Sequence, residues 1–108
     1  MINQEPKSIN NEWLSKLRAM VPFGFLIFDG QGIIFLDEYT RSIFDPHEFD
    51  ISYPFLFEQF KDTIEPLSKN IGLIGRDLKK YSLDVVGQLV RYENRAAVLL
   101  FIKDLKRE

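Results

Sequence analysis

The sequence predicts an α+β domain, with a five-stranded antiparallel sheet, short helices on one face and an amphipathic helix at the N-terminus. Three observations predict it. Apolar residues recur at helical spacing from Ile9 to Met20. Two short apolar runs flank Asp29-Gly30-Gln31-Gly32. From Tyr81 onward, alternating and then continuous apolar residues surround Tyr92-Glu93-Asn94-Arg95.

Residues 1–7 are polar with an early proline and read as a flexible tail. Over 8–21, Ile9, Trp13, Leu14, Leu17 and Met20 form an apolar stripe. Ser8, Asn10 or Asn11 can cap the start of this helix, and Pro22 stops it. Trp13, Leu14 and Leu17 exceed what one small core needs, and the reading favours a dimer interface there over core packing. The core is expected over 22–104, and 105–108 begin a C-terminal linker.

Phe23 to Asp29 and Ile33 to Asp37 read as a hairpin whose glycines supply positive φ at the turn. Neither strand alternates cleanly, so both faces of the sheet should be covered. Glu38 to Phe44 reads as a short helix closed by Pro46, and Asp45 to Tyr53 as loop. Pro54 opens a helix carrying Phe55, Phe57 and Phe60. The spacing of Ile64, Leu67 and Ile71 continues as helix, with a break at Pro66. A third strand is expected within Ile71 to Leu78. The last two strands flank the turn at Tyr92 to Arg95, with a bulge at Val86-Gly87.

The chain has 108 residues, 45% hydrophobic and 14% aromatic, which suits one domain with one core. Its net charge of −2 argues against nucleic-acid binding by the chain alone. Residues 1–60 hold four Lys/Arg against nine Asp/Glu, a net −5, and residues 61–108 hold ten against seven, a net +3. A solvated surface is the reading of that asymmetry. There is no cysteine, which excludes disulfides, thiolate metal sites and cysteine nucleophiles. No apolar run approaches the ~20 residues of a membrane span, so no membrane contact by the chain itself is expected. A cytoplasmic location fits.

Three segments together resemble the PAS family of sensory modules. Met20 to Phe35 (MVPFGFLIFDGQGIIF) resembles its opening, in which a helix ends, a Pro-x-Gly enters the first strand and an Asp-Gly turn leads to the second. Tyr81 to Arg95 resembles its penultimate strand and following turn, with Asn94 where glycine is common and Ala96 where proline is common. Ile102 to Glu108 resembles the ending that joins such domains to a coiled coil, Asp104 matching its Asp and Lys106 replacing its Thr. The element order of helix, hairpin, short helices and long hairpin is also the family's.

The resemblance implies a non-enzymatic signal-transduction domain of a two-component or transcription-regulating protein. It would bind a small ligand or a partner, pair as a homodimer and relay a conformational change to an effector domain. The alternative is a ligand-free PAS-type dimerisation module. Tyr39, Ile43, Phe44, Tyr53, Phe57 and Phe60 fall where the family lines its pocket, although core packing is the favoured reading of the same aromatics. Asp104 is the implied coupling residue, capping a helix beyond it. No haem or flavin is expected: His47, the only histidine, lies in a loop, and the flavin type needs a cysteine. Asp37-Glu38 and Asp45…Asp50 have no catalytic or metal-ligating companions, so they read as solvated carboxylates.

Overall fold

The computed structural model describes residues 5–108. Its elements are β1 (Lys7–Ile9), α1 (Asn11–Met20), β2 (Phe25–Asp29), β3 (Gly32–Leu36), α2 (Glu38–Ile43), a 3-10 turn (Pro46–Glu48), β4 (Phe49–Asp50), α3 (Tyr53–Glu58), β5 (Leu67–Gly75), β6 (Lys80–Tyr92) and β7 (Arg95–Arg107). The sheet has seven strands, not the five expected from the sequence. Six lie in the antiparallel order β3-β2-β7-β6-β5-β4, and β1 adds in parallel to the end of β6, Ile9 opposite Tyr92. No helix among the described residues is long and apolar enough to cross a membrane.

β2 explains the two-sided packing. Phe25, Leu26, Ile27 and Phe28 are all buried, because β2 lies between β3 and β7 with both faces covered. Leu26 and Phe28 enter an inner cluster with Phe44, Leu56, Phe60, Leu83 and Leu100. Phe25 and Ile27 enter an outer cluster with Ile9, Leu14, Val90 and Leu99. Each such side chain contributes about 1.5–3 kcal/mol through burial. The helices are therefore divided between the faces: α3 sends Leu56 to the inner cluster and α1 sends Leu14 to the outer one.

The amphipathic helix expected over 8–21 is not formed as such. Lys7–Ile9 is a strand, and Ile9 reaches the core from it. Helix α1 starts after Asn10, whose side chain accepts from the Trp13 N–H at 2.9 Å. The far end of the stripe is also lost, since Met20 is 80% exposed. Residues 1–4 of the expected tail lie outside the described residues, and Lys7 belongs to the sheet.

Other expectations move. The segment read as helix through Leu67 and Ile71 is β5, which begins at Leu67. The stretch read as loop from Asp45 contains a 3-10 turn and β4. The irregularity expected at Val86-Gly87 sits between Asp84 and Val85. The first hairpin is held by the Asp29 carboxylate, which accepts from Gln31 N–H and Gly32 N–H at 2.8 and 3.2 Å; of its glycines only Gly32 has positive φ. In the last hairpin Glu93 and Asn94 both have positive φ, the pattern of a two-residue primed turn. The linker expected from 105 is sheet instead: β7 runs to Arg107, and Glu108 N–H donates to the Lys80 carbonyl.

Candidate functional site

Two apolar hollows lie on opposite faces of the sheet. The inner one is lined by Leu26, Phe44, Tyr53, Leu56, Leu73 and Leu100 among others, and its volume is about 10 Å³. That is about the room of a single water, in a setting with too few polar groups to hold one. A drug-sized ligand would need roughly 300 Å³ or more.

Of the six residues expected to line a pocket, only Phe44 and Tyr53 border this hollow. Burial pushes the Tyr53 phenol above its ordinary value, and its ring tilts on Phe28 at 6.2 Å. Phe57 is half-buried against the same cluster. Phe60 is fully buried elsewhere, its ring seated on the β6 backbone where a Cβ at Gly87 would come within 2.6 Å. Tyr39 and Ile43 face outward, 45% and 39% exposed. They are displaced because α2 turns Thr40 to the core.

Thr40 is fully buried and its hydroxyl is satisfied. It donates to the Phe25 carbonyl at 2.9 Å and accepts from Phe25 N–H at 3.2 Å and Arg18 Nη2 at 2.8 Å. Arg18 ties three elements together: Nε donates to Asp37 Oδ2 at 2.6 Å, Nη1 donates to the Phe23 carbonyl at 3.0 Å, and the guanidinium lies over the Phe25 and Tyr39 rings. Asp37 also caps α2, accepting from Thr40 N–H at 2.8 Å. Burial raises its pKa, but the Thr40 hydrogen bonds and the Arg18 hydrogen bond and charge outweigh it and hold the carboxyl below the ordinary 3.8. This network was missed in the sequence, since 19 residues separate Arg18 from Asp37.

The outer hollow is open, about 270 Å³, and lined by Phe23, Val86, Phe101 and Lys103. Helix α1 covers the Leu99 and Val90 end of this face and leaves the Phe101 end bare. Phe101 is opposite Val86 across the β6–β7 pair, and Phe23 meets its ring edge-on at 5.7 Å.

The residues expected to form a dimer interface are used within the chain. Leu14 is buried in the outer cluster, with Trp13 and Leu17 packed against it. Asp104 caps no helix, lying within β7 opposite Asp84. Those facing carboxylates are separately served: Asn70 donates to Asp84 at 2.6 Å, and the Lys106 ammonium is 3.4 Å from Asp104. His47 is exposed with Nδ1 3.2 Å from Asp45, a carboxylate that caps the 3-10 turn. Among the described residues no three His, Asp or Glu side chains converge as metal ligands.

Comparisons with protein-family models, with curated proteins and with solved structures find no match for this chain.

Proposed function

We propose that this chain is a PAS-type signalling module that works by protein contact, pairing with a second copy through the Phe23–Val86–Phe101 strip. The PAS reading rests on the first two sequence segments, Met20 to Phe35 and Tyr81 to Arg95, since the third is strand to Arg107. The contact form of that reading is carried by one observation: the inner hollow is about 10 Å³, while an apolar hollow about 270 Å³ in volume opens on the outer face. A small ligand has no space inside without repacking. The second copy as occupant is supported by the rim of the strip. Adjacent Lys103 and Asp104 carry opposite charges and are both exposed, so a two-fold contact can set each Lys103 against the other copy's Asp104.

Sedimentation equilibrium tests this. Wild type is expected to dimerise, and Phe23→Glu, at a partly exposed position, to weaken the dimer at least tenfold. Lys103→Glu should weaken it and Lys103→Glu with Asp104→Lys should restore it. Monomeric wild type at every concentration, or a dimer indifferent to Phe23→Glu, refutes the strip. A small molecule retained stoichiometrically in native mass spectrometry refutes the contact form.

A further inference from the structure

The tip of the β5–β6 hairpin combines two features that ordinary turns avoid. Leu78 has φ of 68°, the left-handed region in which a leucine Cβ crowds the backbone, and its side chain is 86% exposed. Hairpins with a three-residue loop place such a residue third, where glycine is the usual occupant. Here Leu78 N–H donates to the Gly75 carbonyl and Gly75 N–H to the Lys79 carbonyl, both at 2.9 Å, so the turn is locked in this form. Leu78 thus takes a conformation unfavourable for its type and gains no burial within the chain.

Apolar and charged residues surround it. Ile74, 43% exposed, faces Lys80 across the hairpin. Arg76, Lys79 and Lys80 flank Leu78, and the register brings Arg107 opposite Tyr81 and Lys106 opposite Ser82. All five cations are exposed. Tyr81 packs on the inner cluster and Lys80 alternates away from it, so Arg107 and Lys80 flank the hairpin on opposite faces. Asp77 is turned back into the hairpin, accepting from Lys79 N–H at 3.0 Å and from the Tyr81 hydroxyl at 2.6 Å. Glu48, Glu108 and Asp50, which faces Ile74 across the β4–β5 pair, are the other nearby acids, and Asp104 holds the Lys106 ammonium at 3.4 Å.

We propose that this tip is a docking point for an anionic phospholipid surface, Leu78 and Ile74 entering the headgroup layer while the cations meet lipid phosphates. A plane of negative charge engages both faces of a protruding hairpin at once. A nucleic-acid backbone would use the cations and give the apical leucine nothing. Within the loop itself Arg76, Lys79 and Lys80 outnumber Asp77, whose carboxylate is taken up by the Lys79 N–H and the Tyr81 hydroxyl. The inference is independent of the sheet-face strip.

Flotation of the full chain with phosphatidylcholine vesicles, with and without phosphatidylglycerol, tests it. Wild type should float with the anionic vesicles only, and less as salt rises. Leu78→Gly removes the apolar apex and suits the left-handed position, so it should melt no lower than wild type yet bind about tenfold more weakly. Lys79→Glu with Lys80→Glu should abolish flotation. The proposal fails if wild type does not float, if it floats equally with neutral vesicles, or if Leu78→Gly binds like wild type. If Leu78→Gly instead changes the sedimenting mass, the tip contacts a second copy and the lipid assignment is overturned.

Discussion

Gly87→Ala is expected to cost about 3 kcal/mol of stability, the high end of what one added carbon does in a packed core. The position looks benign in sequence: glycine inside a strand is unfavourable by roughly 0.5–1 kcal/mol relative to alanine, so the substitution should help if there were room. There is none. An ideal Cβ would lie 2.6, 2.8 and 3.0 Å from three ring carbons of Phe60, and that ring is fully buried. The loop after α3 is also tied down, Leu89 N–H donating to the Thr63 carbonyl, so the ring cannot simply back away. The sign of the effect therefore tests the packing. Phe60→Leu should recover about 1–2 kcal/mol of the Gly87→Ala cost in the double variant, as contacting residues couple on that scale. Urea unfolding of the two single variants and the double measures both quantities. A stabilising or neutral Gly87→Ala, or strictly additive costs, would show that Phe60 does not sit where described.

The same pair shows what was readable in the sequence. β2 and the apolar part of β7, Ala96 to Ile102, were legible, since a continuous apolar run bounded by turn residues leaves a two-sided strand as its best reading, whereas the charged end of β7 to Arg107 was not. β5 was not. Leu67, Lys69, Ile71 and Leu73 occupy successive inner-face positions, but the second is a lysine, whose ammonium reaches Gln59 at 3.1 Å and lies over the Phe60 ring. That charge masks the period of two and leaves Leu67 and Ile71 four apart, as in a helix. β1 offered less still: its single buried residue, Ile9, is placed by a parallel pairing with a strand 83 residues later.

The candidate site was legible where aromatic residues serve the core and illegible where polar groups do. Phe44 and Tyr53 go inward as large aromatic side chains on short elements do, but they serve the core and enclose no ligand-sized space. Tyr39 and Ile43 misled because Thr40 takes the buried place on α2, and a threonine there is tolerable only with every bond of its hydroxyl made. Trp13, Leu14 and Leu17 read as an interface between copies because the sheet face that receives them within the chain comes from strands distant in sequence.

Arg18→Met should lower stability by about 2 kcal/mol, and the loss should fade in acid. Methionine keeps the aliphatic stem against the Phe25 ring, so the lost parts are the hydrogen bonds to Asp37, Thr40 and the Phe23 carbonyl. Bonds to charged groups contribute about 1.5–3 kcal/mol when buried. Arg18 and Asp37 side chains are 26% and 25% exposed, so solvent screening reduces the figure. The pH dependence follows from Asp37, whose folded pKa lies below 3.8. A carboxyl with a depressed folded pKa contributes stability that is fully present above its unfolded value and is lost as pH falls through the folded one. The ion-pair share of the Arg18 contribution should therefore hold at neutral pH and decline below about pH 4. Urea midpoints of wild type, Arg18→Met and Asp37→Asn at neutral and acid pH decide the matter. A gap between wild type and Arg18→Met that persists undiminished in acid would assign the arginine's effect to Thr40 and the Phe23 carbonyl alone. No gap at neutral pH would remove Arg18 as the tie between α1, α2 and the start of β2.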